Sequence, residues 1–528
     1  RFLHTLQERE LLHYSWEQEC WCWDEAAIGG LPITDNVVDL VVSQLATLPA
    51  DCSRALAHAA CLGIEFDLRT LAGALQCSPV EAGRRLWPAV VHDLLLPLSR
   101  DYALLEAGDA VVAGHGYRFV HDRVLDGARA LLSADERTEV HLHAGRALRD
   151  QADDDELFAA VGHLVEARER LDEDERTELA RALLQAGRRA TRAAAYDSAR
   201  RLLTIGVELV TALTGDPWAR EHELTLALHD ALIEAAFIAG DHEAVALRAQ
   251  AVIQACAEPL EQVEARVALI QSLSARLCMT EAVAESRRAL DSLGVAVPSP
   301  LRMPRAMLEL LAVWGKLERG GLARLTELPE AEDPLHIARC RVMSAAMLGA
   351  VSCEPPLLLL LNARTVRMAL THGMHPEVCF ALAGISFILA GPMGQHRAGL
   401  KVVETAQRMV DRPGYEAVYT RVNYMARSYI APWFEPVSKS IAALRGLVLR
   451  GRELGDIEFA SLSAGVLMMQ AMFVAGDLEG LLAEAMGYRR VVHKLGREMA
   501  IYVVDVYTQL IANLAGHGDE TVTLTGEY

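Results

Sequence analysis

The sequence is poor in the motifs that announce an enzyme. A phosphate-binding loop needs glycines and a lysine in GxxxxGK[ST], so that backbone amides cradle the phosphates while the lysine reaches them. The only Gly-Lys pair, Gly315-Lys316, is followed by Leu317 in a helical context. Zinc-protease spacing fails at His242-Glu243, where Ala246 replaces the second histidine, and at His222-Glu223, where Leu226 does. No GxSxG elbow and no kinase DFG occurs. His141 and His143 are two apart and diverge on a helix, so no metal site is expected there. The acidic run Asp153-Asp-Asp-Glu156 lacks the glycine and spacing of a calcium loop and reads as a solvated connection. No catalytic and no metal-ligating residue is therefore assigned.

Paired cysteines are also missing. The ten cysteines form no CxxC, and the nearest two, Cys20 and Cys22, bracket a tryptophan. This usage fits reduced thiols and a cytoplasmic location. Basic residues are in deficit, 51 against 71 acidic, for a net charge of -20, which opposes non-specific binding to phosphate backbones. Uncharged runs at Val378–Gly394 and Phe459–Gly476 approach membrane-spanning length, but Gly391-Pro392 breaks the first and Ser461, Ser463 and Gln470 interrupt the second. Buried helices are the expectation for both, and no membrane span. The opening residues, Arg1 to Arg9, resemble the middle of an amphipathic helix and carry no signal peptide, so the chain reads as cut at its start. Gly516-His-Gly518 through Tyr528 lacks a capping repeat and reads as cut as well.

What is present is a change of pattern. An aromatic piece from Trp16 to Trp23 suggests a small hairpin after a first helix. From Thr34, Val37, Val41, Leu45 and Leu48 recur at helical spacing until Pro49. Helices over about Ser53–Leu62 and Leu68–Leu75 follow, and Ser78-Pro-Val-Glu81 is a capping box with proline at the first helical position. Then Leu94–Leu98, Tyr102–Glu106 and Tyr117–Val120 are short and strand-like. A helical cluster followed by a β-ribbon is the order of a winged helix. Between Thr34 and Arg123 seven basic residues stand against eleven acidic ones, so this winged helix is not expected to read DNA.

After Val124 the strands vanish. Ser133-Ala-Asp-Glu136 is another capping box, launching a helix to about Arg149. Helical pairs then recur: Gly187 lies 12 residues before Ala199, the small-residue spacing of a tetratricopeptide-like repeat. Related turns close at Ala244, Ala282, Ala398 and Gly480, which are single or multiple steps of about 40 residues. Each pair buries its apolar face only by stacking on the next, so Leu357–Leu361 and Val466–Met469 are expected as inter-repeat core. The fold class is thus mainly α: a winged-helix domain followed by a TPR-like α-helical solenoid. The expected divisions are 1–33, 34–123 (winged helix), 124–175 (connector) and 176–528 (degenerate repeats).

Ile33-Thr-Asp-Asn-Val-Val-Asp-Leu40, Ala59-Ala-Cys-Leu-Gly63 with Phe66-Asp67-Leu68, and Tyr117-Arg-Phe-Val-His-Asp-Arg-Val124 carry a resemblance. Asp241 to Ala244, Leu293-Gly-Val295 and Gly455-Asp456 continue it. In these stretches the chain resembles the central segment of large bacterial signalling proteins. Those proteins join a serine/threonine kinase, a STAND-type AAA-like ATPase, helical repeats, a GAF domain and a sensor histidine kinase. The resemblance implies that residues 1–33 are the remnant of an ATPase lid, that ATP or ADP is bound by a core before residue 1, and that this chain holds no cofactor and is non-catalytic. It also implies a role for Val120-His121-Asp122, since in STAND ATPases a histidine in such a motif contacts the phosphates of ADP. Imidazole suits that role because it donates to a phosphate oxygen and gains charge beside it. The other reading is a buried His121 satisfied by a carbonyl, with Asp122 capping the next helix.

The implied function is a regulatory and interaction segment that couples nucleotide state to a downstream histidine kinase. Its partners are the intramolecular ATPase and kinase domains and a protein or small-molecule ligand on the repeats. A segment of a STAND transcriptional activator and a freestanding repeat scaffold are the alternatives.

Overall fold

A computed structural model describes residues 12–15, 20–23, 45, 47–99, 114–149, 156–517 and 524. The readings of a first helix, a strand at Tyr102–Glu106, most of the helix from Thr34 and the end from Gly518 fall outside the described residues, apart from residue 524. The chain divides into two compact units, 1–182 and 183–528.

In the first unit, β1 (Leu12–Ser15) and β2 (Cys20–Trp23) pair antiparallel, Leu12 opposite Trp23, and make the aromatic hairpin. Helices α1 (Ala50–Leu62), α2 (Leu68–Leu75) and α3 (Pro79–Val91) surround a three-stranded antiparallel sheet of β3 (Glu65–Asp67), β4 (Leu95–Pro97) and β5 (Gly116–Phe119) in the order β3-β5-β4. This is a winged helix. The sequence pattern shows β4 and β5 but not β3, whose three residues, Glu65 to Asp67, are too short a run for their alternation to mark a strand. Local chemistry sets the helix starts: Asp67 accepts from the Thr70 amide at 2.8 Å, and Ser78 from the Glu81 amide at 3.3 Å. Phe66, Tyr117 and Phe119 bury their rings between sheet and helices, with Phe66 stacked on Tyr117 at 6.0 Å.

After β5 come α4 (Asp122–Arg129), α5 (Ala134–Arg149) and α6 (Glu156–Glu166). The capping box before α5 is reciprocal. The Ser133 amide donates to Glu136 Oε2 at 2.8 Å, and the Glu136 amide to Ser133 Oγ at 3.3 Å. A Cβ on Gly145 of α5 would lie 2.6 Å from the Leu164 side chain, so only glycine lets α5 and α6 approach this closely.

From α7 (Glu173–Arg192), in which the division falls, and α8 (Tyr196–Thr211), helical pairs run on. They are α9 (His222–Ala239) and α10 (His242–Ala255), α11 (Val263–Ala275) and α12 (Met279–Ser292), then α13 (Met303–Lys316), α14 (Pro334–Ala345), α15 (Met347–Cys353) and α16 (Pro355–His372). After these come α17 (Pro376–Ala390) and α18 (His396–Val410), α19 (Glu416–Met425) and α20 (Val437–Glu453), α21 (Ile457–Met472) and α22 (Leu478–Leu495), and last α23 (Glu498–Ala515).

The Gly187 spacing has the expected cause: a Cβ there would meet Leu203 of α8 at 2.5 Å. The Ala239-Gly-Asp turn is a helix stop and a helix start in two residues. Gly240 takes φ +79° as the left-handed cap of α9, and Asp241 accepts from the Ala244 amide at 3.0 Å to begin α10. Both uncharged runs fall in buried helices, α17 ending before Gly391 and α21 ending at Met472. Among the described residues no helix is long and apolar enough to cross a membrane.

Candidate functional site

The repeat unit closes on itself. Arg497, in the turn between α22 and α23, has no solvent exposure and donates from Nη2 to the carbonyl of Phe237, 260 positions earlier, at 2.7 Å. Its guanidinium lies 4.4 Å from the centroid of the Phe237 ring. The same seam brings Gly240 against Leu495, where a Cβ would stand 3.0 Å from the carbonyl oxygen, and Gly455 against Ile238.

Inside this closure is a chamber of about 640 Å³, a size that suits a drug-sized ligand. It is lined by Phe237 from α9, Ser274 from α11, Phe380 from α17, Arg421 and Tyr424 from α19, Phe459 and Met469 from α21 and Tyr507 from α23, and in the middle of the array by three successive helices, with Ser344 from α14, Met347 from α15 and Leu358 from α16. On either side of that middle stretch one helix of each pair faces inward, which is how a curved repeat array builds a concave wall. Val466 and Met469, expected as inter-repeat core, border the chamber too. Aromatic rings form much of the wall. Phe380 meets Phe459 edge-on at 5.3 Å, Phe387 meets Tyr429 at 5.0 Å, and the Tyr424 and Tyr429 hydroxyls are 3.3 Å apart.

Charged groups are few and mostly acidic. Glu234, Asp456 and Glu458 line the chamber against one guanidinium, Arg421. Arg421 Nε donates to Asp456 at 3.1 Å and Nη1 to Glu377 at 3.4 Å, and its carbon sits 5.6 Å from the ring centroids of both Phe380 and Phe459. Burial works against that charge, but Asp456 and Glu377 hold the guanidinium pKa above its ordinary value. Glu458 is less well served. Both carboxylate oxygens are shut off from solvent and accept no hydrogen bond, and the nearest cation, Arg497 Nε, is 3.9 Å away. Burial pushes the carboxyl up to about 7; Arg497 opposes the shift and Asp456 adds to it.

The buried thiols of the repeat unit are not activated. Cys340 approaches His336 to 3.8 Å, but both are buried and burial lifts the thiol to about 12, far from an activated nucleophile. Cys379 is lifted to about 12 for the same reason. Outside the chamber, His222, Cys256 and Glu261 are the group among the described residues whose donor types suit a metal ion.

His121 and Asp122 lie in the first unit. His121 is exposed, follows β5 in extended conformation and is itself the cap of α4, its Nδ1 accepting from the Arg123 amide at 3.1 Å. The reading of a buried histidine with Asp122 as cap does not describe it. With Nδ1 accepting, a neutral ring carries its proton on Nε2. His141 and His143 diverge as their spacing requires. His141 faces His163, the Nδ1 atoms 2.9 Å apart, and His143 meets Gln76 at 3.0 Å. Burial, with the charge of His141 second, lowers His163 to about 4.

No family model matches the chain. Over 171 residues it is 28% identical to the hybrid signal transduction histidine kinase G of Dictyostelium discoideum, a match that covers 28% of this chain and 5% of the length of that protein. Among solved structures it is similar to a signal transduction ATPase with numerous domains (STAND) protein with a tetratricopeptide repeat sensor from Pyrococcus horikoshii. That likeness has a TM-score of 0.37 at 11% identity and spans 90% of this chain and 61% of that one.

Glu458 gives the repeat unit a pH dependence with a definite sign. Between the ordinary carboxyl value of 4.5 and about 7 the folded state holds the proton more tightly than the unfolded state. Stability therefore falls as pH rises through that window, by on the order of 3 kcal/mol, and levels off above it. Glu458→Gln is expected to match wild type at pH 5 and to show a flatter decline to pH 8 in urea denaturation. Equal slopes for the two proteins would count against this account.

Proposed function

We propose that the chain is a regulatory segment whose repeats receive a small ligand and whose closure reports its presence to a signalling output. The observation that carries this reading is the position of the chamber. A molecule filling it touches α9 on one side of the Arg497 seam and α21 on the other, so it favours the closed arrangement by differential contact. The lining sets the ligand class: mostly apolar or aromatic, and uncharged or cationic, because three carboxylates face one guanidinium. The resemblance to STAND signalling proteins and the partial match to a hybrid histidine kinase support a phosphotransfer output encoded outside these residues.

The neutral apolar dye Nile red probes the chamber in the full chain. It is expected to bind saturably at one site, and Met469→Trp is expected to weaken binding at least about tenfold, or ~1.4 kcal/mol. Dye binding that is absent, or indifferent to Met469→Trp, sinks the assignment.

For the first unit the proposal is nucleotide sensing, with ATP or ADP held by an ATPase core outside this chain. Support comes from the matching Val120-His121-Asp122 motif and from the exposed His121 ring, whose Nε2 proton is suited to a phosphate oxygen. In a protein carrying both the ATPase core and this segment, His121→Ala is expected to speed ADP release. Unchanged release would remove His121 from the mechanism.

A further inference from the structure

We propose that His222, Cys256 and Glu261 form a zinc site that fastens the turn between α10 and α11 to the start of α9. His222 is the first residue of α9, Cys256 the first beyond α10, and Glu261 stands in the turn before α11. One ligand atom from each lies within 4.8 Å of the other two. Donors around one zinc ion, on bonds of about 2.0–2.3 Å, stand roughly 3.5 Å apart. Small side-chain rotations close the difference.

The histidine supplies the strongest argument. Its Nδ1 is 3.2 Å from the carbonyl oxygen of Trp218, which only accepts, so Nδ1 carries a proton. This is the outer hydrogen bond that metal-bound histidines use to fix their tautomer, and it turns the lone pair of Nε2 toward the cluster. Nε2 then faces Glu261 Oε1 at 2.9 Å, and two lone pairs at that distance require a cation between them. A proton on Nε2 meets the requirement with a simple ion pair, but that pair needs no third donor. The structure brings a third, the buried Cys256 sulfur, within 4.8 Å of both, its thiol hydrogen-bonded to Glu261, and this is the proton that an entering zinc would displace.

Support continues behind the ligands. Gln262 donates from Nε2 to the Cys256 carbonyl at 2.7 Å and accepts from Arg266 Nε at 3.0 Å, so the turn that carries two of the three donors is held in place. Imidazole, thiolate and carboxylate together suit zinc, whereas calcium and magnesium take oxygen alone. His222 and Glu261 are about one-third exposed, which gives the ion a path from solvent and leaves its fourth position to water. As zinc enters, two protons leave to solvent, one from the thiol and one from Nε2.

Cobalt(II) added to the full chain, after chelator treatment, tests the site through its spectrum. One equivalent is expected to produce tetrahedral ligand-field bands with a sulfur-to-cobalt charge-transfer band, and zinc is expected to displace it. Cys256→Ser should abolish the charge-transfer band, and His222→Ala, a partly exposed position that threatens folding less, should weaken cobalt binding at least about tenfold. No charge-transfer band in wild type overturns the proposal and leaves the ion pair alone. So does a band that survives in Cys256→Ser, or an affinity unchanged in His222→Ala, which would assign the metal to other thiols and histidines.

Discussion

A buried guanidinium at a seam is the constraint on which the repeat unit depends. Arg497 is removed from water entirely, which is costly for a charge unless it is paired and hydrogen-bonded. Its compensation comes from the far end of the array: the Phe237 carbonyl, the Phe237 ring and, at longer range, Glu458. The carbonyl is well placed for this because it sits in the last turn of α9, where intrahelical partners run out. It already accepts from the Gly240 amide at 3.1 Å and takes Arg497 on its remaining lone pair. Closure and charge compensation are therefore one event. An open array would solvate the arginine, and a closed array without Phe237 would strand it.

The chamber follows from that closure. The inward-facing helices carry mostly apolar and aromatic groups, with a few polar ones such as Gln271, Ser274 and Ser344 and the charged Glu234, Arg421, Asp456 and Glu458. The two arginines are not equivalent. Arg421 is held by two carboxylates and two aromatic faces, which makes a settled cluster. Arg497 and Glu458 stand close without a hydrogen bond between them, and each keeps buried polar atoms without a hydrogen-bond partner. A pair left in that condition contributes little net stability and makes the seam the weaker part of the ring. The proposed switching rests on this weak seam beside a ligand-sized cavity.

Much of the local architecture was legible in the sequence and the site was not. Asp67, Ser78, Ser133, Asp241 and Asp477 announce helix starts because a side-chain oxygen bonding an amide two or three residues on is a local event. Gly187 and Tyr117 to Phe119 are similarly readable, one from a close helix crossing and one from strand alternation. Arg497 carries no such signal. It lies in a Gly-Arg-Glu turn that reads as solvated, and its partner is 260 positions away. Concave residues such as Phe459 and Tyr507 look like any core aromatic until the repeats are phased. The only forewarning was chemical: Asp456 and Glu458 stand at the start of the uncharged run from Phe459, acids carried to the edge of a buried helix. His222 and Glu261 were hidden for the same reason, since their meeting depends on two helix hairpins folding back together.

Hydrogen exchange across the seam tests the closure most directly. In wild type the amides of residues 237–242 are expected to exchange slowly, because that turn is covered by Leu495 and Arg497. With Arg497→Met the same amides are expected to exchange far faster, while protection of α5, in the first unit, stays as it was. Equal protection of residues 237–242 in the two proteins would contradict closure by Arg497.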